Sequence, residues 1–340
     1  MKIIFLGAGV IGGSVGAWVA AHHEETYFLD RGPVAEALRQ RGLTTYCGDS
    51  PAESQTVKVK VIGDLAEVPD PDLIVLGVKN YSLEGVAAMV KEKCGDKPVI
   101  LSMANGIANQ RILPKFFSKV VYCAIAYNGW MNEPGVVGYQ KKGPLIIGTP
   151  DNSLRPEMEA IAQVFNQGVE TIVTDHLQDA VHGKIVINLS NSATTLLGPD
   201  YQKIPDRKLL QKLLSGILLE GVQIIRAAGY HECQLGGMPG WNVIWAAAKL
   251  PRFITAPLFE RNVRKMVLSS MAQDVRAQGG AMTELDSING YILELADRVK
   301  HPAPINRAVY ALCRQRFGKG TFVPLTAEEI WQAVEKQKTG

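Results

Sequence analysis

The chain has 340 residues, 46% of them hydrophobic and 20% charged, and its formal net charge is +3. That charge is too small to argue for nucleic acid or a membrane surface as a partner, and the length exceeds one ordinary core, so two domains are expected. Five cysteines (Cys47, Cys94, Cys123, Cys233 and Cys313) are scattered, odd in number and never spaced as CxxC, which suggests neither a disulfide framework nor a zinc site; a reducing cytoplasm and no metal are expected.

The first element is a strand-like run, Lys2 to Leu6, that breaks into Gly7-Ala-Gly9-Val-Ile-Gly12-Gly13 and then an apolar helix carrying Val15, Trp18 and Val19. Strand, glycine turn and helix start form a dinucleotide-binding unit. Gly7 permits the turn, Gly9 lets the backbone approach a pyrophosphate, and Gly12 lets the helix pack closely on the strand. The pyrophosphate would rest on the helix N-terminus, where amide donors and the macrodipole favour an anion. Residues 1–21 also mimic a secretory signal, with Lys2, an apolar run and Ala20-Ala21, but the glycine spacing accounts for them better. No eighteen consecutive apolar residues occur, so a soluble protein is expected.

Strands are predicted near 2–6, 26–30, 72–78, 97–102 and 119–125, with helices near 10–22, 33–41, 81–93 and 106–114 between them. Pro134-Gly135 and Lys142-Gly143-Pro144 punctuate shorter strands up to about Ile147, an antiparallel annex to a doubly wound parallel sheet. Residues 167–174 form a last short strand, after which Asp175 is placed to cap the next helix. The domain border is set there, giving a Rossmann-type domain over 1–174 and an all-helical domain over 175–340. In the second, 206–228, 258–277 and 285–299 carry apolar residues at helical spacing, whereas 229–257, rich in Gly and Pro around Trp241 and Trp245, is a loop or a broken helix. Apolar helices in this half allow pairing across a two-fold axis into a homodimer, cyclic dimers being the commonest assembly.

After the second strand, Asp30 stands eighteen positions beyond Gly12, near where an acid would grip a ribose 2′-hydroxyl and so favour NAD. Arg31 follows at once and suits a 2′-phosphate, which favours NADP. The two residues oppose each other, and a plain solvated turn accounts for both as well. In the helical half, Lys184, Asn188 and Asn191 fall at i, i+4 and i+7, on one helix face. A cation and two amides in an otherwise apolar helix are costly to bury without partners, which suggests a ligand or polar cleft; an exposed polar stripe is the competing reading. The six histidines show no ligand spacing, His182 points away from the Lys184 face, and none is assigned a catalytic role.

The chain resembles the ketopantoate reductases in several separated blocks along nearly its full length. They are Gly7-Ala-Gly9-Val-Ile-Gly12, Arg31-Gly32, Gly77-Val-Lys79, Asn105-Gly106, Glu133-Pro134-Gly135, Gly183-Lys184 with Asn188, Ser269-Ser270-Met271 with Gln273-Asp274, Thr283-Glu284-Leu-Asp286 with Ile288-Asn289-Gly290, and Pro304-Ile-Asn306. The resemblance implies NADPH-dependent reduction of 2-dehydropantoate, a 2-keto acid, to the 2-hydroxy acid pantoate, in a cleft between a Rossmann domain and a helical domain. It implies Lys184 as the general acid on the ketone oxygen, Asn188 toward the substrate, and Ser270 at its carboxylate; Asn191 is placed toward the substrate by its spacing on the Lys184 face. Asn105 and Glu284 match residues that hold the nicotinamide end of the cofactor, and Lys79, also placed among the cofactor-binding residues, matches a basic residue at the cleft edge. The bland alternatives are a surface lysine for Lys79, a turn for Asn105-Gly106, mid-helix positions for Ser269 and Ser270, and a first-turn acid for Glu284.

Three departures bear on substrate identity. The family's second asparagine eight residues after the lysine is Ser192 here, with Asn191 one place earlier. Two extra residues, including Gly279-Gly280, separate the serine block from the glutamate block, and 229–257 is longer than usual, so that Trp241, Trp245 and Arg252 are candidates for a rebuilt pocket wall. A sibling reductase acting on another 2-keto acid or on an imine, as in opine-type dehydrogenases, is the alternative function; a cofactor-binding regulator without turnover is a third.

Overall fold

In a computed structural model of the chain, β1 (Ile3–Leu6) is wholly buried and runs into a turn at Gly7 (φ +92°) before α1 (Val10–Ala20). The structure describes all residues but 49, 234, 235, 237, 238, 279–281 and 340. A Cβ on Gly12 would collide with the Gly7 carbonyl oxygen and press on Gly77 Cα, so only glycine lets α1 lie this close to the strand ends. The described chain divides into two compact units, Met1–Ala180 and Val181–Gly340.

In the first unit, β2 (Thr26–Leu29), α2 (Gly32–Arg41), β3 (Leu43–Cys47), β4 (Gln55–Val57), β5 (Lys60–Ile62) and β6 (Leu73–Leu76) follow α1. Then come α3 (Asn80–Cys94), β7 (Val99–Ser102), α4 (Ala108–Ile112), β8 (Val120–Ile125), β9 (Gly129–Glu133), β10 (Val136–Tyr139), β11 (Leu145–Gly148), α5 (Arg155–Phe165) and β12 (Thr171–Val173). Eight strands pair in the order β12-β11-β8-β7-β6-β1-β2-β5. Every pairing is parallel except β11 with β8. β1, β6 and β8 read as unbroken apolar runs because parallel strands with helical crossovers are covered on both faces. Phe5 stacks on Phe28 and Phe165 at centroid distances of 5.4 and 6.2 Å, tying β1, β2 and α5 into one core.

Of the expected antiparallel annex, β9 and β10 lie in a second sheet of order β4-β3-β10-β9, whose other two strands, 43–47 and 55–57, were not predicted, while the strand ending near Ile147 is β11 and joins the large sheet. Its central pair, β3 with β10, is parallel. Glu133-Pro134-Gly135 makes the turn between β9 and β10, with Gly135 at φ +81° and its carbonyl accepting from Thr44 N at 2.8 Å. Asp175 does not cap the following helix: its carboxylate accepts from Arg155 Nη1 at 2.9 Å, and Thr174 Oγ1 serves the His176 amide.

α6 (Leu177–Leu197) enters the second unit at Val181 and is buried along almost its whole length, which explains why its apolar residues are not confined to one stripe. α7 (Arg207–Ala227) packs on it through Gly221, where any Cβ would strike Leu189 and Val186. The segment 229–257 contains α8 (Trp241–Lys249) and, after a break at Leu250-Pro251, the start of α9 (Arg252–Lys265). The predicted helix 258–277 is interrupted at 266–269, and α10 (Ser270–Gln278) begins beyond the break. A π-helical turn over Asp286–Gly290 leads into α11 (Tyr291–Arg298), followed by α12 (Pro304–Arg316) and α13 (Ala327–Thr339). Buried Glu220 on α7 accepts from the backbone amides of Ile305 and Asn306 and from Asn306 Nδ2, each at 2.9 Å, fastening the start of α12. Among the described residues, no helix is long and apolar enough to cross a membrane.

Candidate functional site

In the first unit the candidate residues gather at one edge of the large sheet. Gly7, Gly9 and Gly12 follow β1, Asp30 and Arg31 follow β2, Lys79 follows β6, and Asn105 follows β7. These four strands are parallel neighbours, so their carboxyl ends share an edge; the chain lays β2 and β5 on one side of β1 and then crosses to lay β6 and β7 on the other. That reversal is where open α/β sheets bind ligands.

The glycines divide by what demands them. Gly12 and Gly77 are required by the fold, because a Cβ on either would strike the backbone of the β1 turn. A Cβ on Gly9 would meet nothing within 4 Å. Protein packing therefore does not require glycine at position 9, whereas a pyrophosphate pressed against the backbone would. Gly9 caps α1 without a side-chain hydrogen bond, which leaves the first-turn amides facing outward as an anion-binding end. These features fit a dinucleotide.

Asp30 is already engaged. One carboxylate oxygen accepts from Ala8 N at 2.6 Å and the other from Arg31 N at 2.7 Å, so the acid braces the glycine turn. Arg31 is exposed, and among the described residues its guanidinium makes only a long approach of 3.9 Å to Met89 Sδ. Lys79 stands at the start of α3, and the next residue, Asn80, donates through Nδ2 to the Asn105 carbonyl at 2.7 Å, which joins the loops after β6 and β7. Asn105-Gly106 is a turn, with Gly106 at φ +79°, and it sits at the ligand edge. Asn80 was not singled out from the sequence; its position directly after Lys79 was the available signal.

In the second unit the site is built on α6. Lys184 and Asn188 are buried, and Asn191 on the same face is half-buried. Among the described residues no hydrogen bond or ion pair engages Lys184 Nζ, and burial pulls its pKa from 10.5 down to about 8. Opposite that face His182 is fully buried. It stacks on Tyr230 at 3.5 Å, and its Nε2 lies 2.7 Å from Tyr291 Oη. Ser192 is turned inward, donating to the Leu189 carbonyl at 2.8 Å and accepting from Asn289 Nδ2 at 2.9 Å. Ser192 is thus occupied as a fold anchor, and Asn191 carries the stripe.

The two remaining candidates are fastened to the same helix. Ser270 opens α10, whose start is capped by Ser269: its Oγ accepts from Ala272 N at 3.1 Å and lies 3.4 Å from Thr195 Oγ1 of α6. Both serines are therefore at a helix start, not in mid-helix. Buried Glu284 lies two residues before the π-helical turn; Asn289 of that turn reaches Ser192 of α6, and Tyr291 at the start of α11 reaches His182. The Gly279-Gly280 insertion lies outside the described residues. Arg252, expected as pocket wall, donates to Glu260 at 3.2 Å, and Glu260 also receives Arg207.

Residues 3–152 match the family model described as ketopantoate reductase PanE/ApbA, and residues 176–317 match the model of its C-terminal region. The 2-dehydropantoate 2-reductase of Pyrococcus abyssi is 30% identical over 321 residues, spanning 92% of this chain and 97% of that protein. The crystal structure of 2-dehydropantoate 2-reductase from Geobacter metallireducens superposes with a TM-score of 0.76 at 24% identity, covering 93% of this chain and 99% of that one. A PanE/ApbA family ketopantoate reductase from Ralstonia eutropha gives a TM-score of 0.71 at 22% identity over 99% and 100% of the two chains. With both of its units matched in sequence, and with the glycine turn and the lysine helix in the order those matches require, the chain belongs to the ketopantoate reductase family.

Proposed function

We propose that this protein reduces 2-dehydropantoate to pantoate with NADPH, and that Lys184 is the general acid. The observation that carries the reading is a buried lysine without a counter-charge among the described residues, aligned on α6 with Asn188 and Asn191. A structural lysine so deeply buried would be expected to hold a carboxylate; one left uncompensated is poised for a ligand that develops negative charge.

In this reading the first-turn amides of α1 hold the pyrophosphate and Arg31 pairs with the 2′-phosphate. Lys79, Asn105 and Glu284 attend the nicotinamide end. Asp30, with an amide on each oxygen, braces the turn instead of gripping a ribose, which favours NADPH over NADH. The bound cofactor supplies hydride. Ser270 at the start of α10 takes the substrate carboxylate, helped by the helix N-terminus. Asn188 and Asn191 orient the keto and hydroxyl groups. Lys184 donates a hydrogen bond to the keto oxygen and gives it a proton as that oxygen gains charge, help of the kind worth ~10²–10⁴ in rate. Its pKa near 8 keeps it protonated at neutral pH yet ready to release the proton.

The test follows NADPH and NADH absorbance with purified protein, 2-dehydropantoate and a panel of branched and aromatic 2-keto acids. Rapid oxidation of NADPH with 2-dehydropantoate is the expected result. Turnover confined to another acid would overturn the substrate assignment, and tight NADPH binding without turnover of any acid would overturn catalysis.

A further inference from the structure

The turn that carries Asn105 is gripped by side chains from two helices. After β7 the sheet's ladder reaches Met103, whose amide donates to the Leu76 carbonyl at 3.1 Å. Beyond it, the carbonyls of Ala104 and Asn105 accept from side-chain amides. Asn80 Nδ2, at the start of α3, donates to the Asn105 carbonyl at 2.7 Å, and Asn109 Nδ2, within α4, donates to the Ala104 carbonyl at 3.0 Å.

Asn109 is the centre of this arrangement. Asparagine is a poor helix former because its amide competes with the backbone for hydrogen bonds, and α4 is only five residues long. The side chain is buried and serves the loop instead of the helix: Nδ2 also donates to Ser102 Oγ at 3.1 Å, and Oδ1 accepts from the Gln110 amide at 2.8 Å. Three of the four hydrogen bonds open to an asparagine are thus made inside the protein. One planar amide ties the end of β7 to the turn, and both to the helix that follows. Alanine and aspartate lack both donors.

The chain of amides continues. Gln110 Oε1 accepts from Gln178 Nε2 at 2.8 Å, and Gln178 stands in the first turn of α6, the helix that further along carries Lys184. Gln110 turns its oxygen to Gln178 although its own Nε2 is then buried with no acceptor among the described residues. A buried donor left unpaired calls for an explanation, and keeping one acceptor in place supplies it.

We infer that Gln178, Gln110 and Asn109 are positioning residues: with Asn80 they form a relay of amides that fixes the turn from which Asn105 orients the nicotinamide ring for hydride transfer. The inference rests on the reading above that Asn105 attends that end of the cofactor. The phosphates are held elsewhere, at α1 and Arg31, so loosening the relay disturbs the ring's orientation and leaves affinity nearly intact. A displacement of about 1 Å at a reacting group costs up to ~10² in rate.

Fluorescence of bound NADPH tests the relay without turnover. Nicotinamide emission rises when a protein immobilises the ring; Asn109→Ala and Gln110→Met should lose most of the wild-type rise while binding NADPH within about threefold of wild type. Gln110→Glu keeps the acceptor for Gln178, gives up the unpaired donor and should restore the emission. With the 2-keto acid reduced fastest, kcat should fall ~10–10²-fold in Asn109→Ala and Gln110→Met, and the isotope effect from NADPH deuterated at the transferred position should rise. If Asn109→Ala does not fold, the half-buried Gln110 decides the matter through Gln110→Met against Gln110→Glu. Unchanged emission in a folded Gln110→Met, a loss that Gln110→Glu does not restore, or a loss matched by an equal loss of NADPH affinity overturns the relay. Asn105→Ala separates the two claims. If it alone dims the bound nicotinamide, Asn105 keeps its role and the relay falls; if it too leaves the emission unchanged, the reading of Asn105 falls and the relay with it.

Discussion

Replacing Lys184 with methionine should make the protein more stable and nearly inactive. Burial holds the lysine near 8 in the folded protein against 10.5 when exposed, about 2.5 units, so keeping the ammonium inside the fold costs about 3 kcal/mol at pH 7. Methionine puts an unbranched apolar chain in the lysine's place and removes that cost. The pH dependence gives the sharper check. Between about 8 and 10.5 the unfolded chain binds the proton that the folded chain has released, so wild-type stability rises with pH through this window, and the variant lacks the rise. Urea unfolding at several pH values should therefore show Lys184→Met ahead by about 3 kcal/mol at pH 7, with the advantage shrinking toward zero near pH 10.5. An advantage unchanged with pH, or a variant less stable than wild type at pH 7, would refute the argument that an uncompensated charge is stored there. In the absorbance assay the same variant should lose ~10²–10⁴ in kcat.

Three further outcomes are expected. Wild-type kcat/KM should fall tenfold per pH unit above about 8, as the free enzyme loses the Lys184 proton, and Lys184→Arg should remove that limb from the profile. Arg31→Ala should raise the KM for NADPH by roughly tenfold or more while leaving NADH little changed, since a charge-assisted pair is worth about 1.5–3 kcal/mol; equal losses for both cofactors would deny Arg31 its phosphate. Gly9→Ala should keep the wild-type melting temperature and lose cofactor affinity in titration calorimetry, whereas Gly12→Ala should lower the melting temperature, because its Cβ meets the Gly7 carbonyl.

The parts of this molecule that were legible in the sequence are those whose reasons are local. The glycine turn declares itself because Gly7 and Gly12 answer steric demands a few residues apart, and the stripe Lys184, Asn188, Asn191 follows from helical spacing alone. β3 and β4 were missed because each is short and gains its meaning from partners far away, Thr44 opposite Val136 and Thr56. The segment 229–257 was legible only as a loop or a broken helix, because Pro251 separates α8 from α9 and Pro257 lies inside α9. Asp30 was read from its position in the fingerprint, yet whether its oxygens are spent on Ala8 and Arg31 depends on the geometry of the turn. The blocks of family resemblance also serve different ends: Glu133-Pro134-Gly135 and Asn306 hold the fold together, while Arg31 stands exposed beside a ligand edge.

The π-helical turn at Asp286–Gly290 sets a limit on how this chain can vary in length. Such a turn holds one residue more than a regular helical turn, and that surplus lets Asn289 reach Ser192 while Tyr291 reaches His182. Deleting a single residue here would restore the regular helix and rotate everything on one side of the cut by about 100° relative to the other. Either Glu284 or Tyr291 would then leave its place. Insertions and deletions should therefore accumulate in loops such as the one joining α7 to α8, while the count of residues from Glu284 to Tyr291 stays fixed across descendants that keep Lys184.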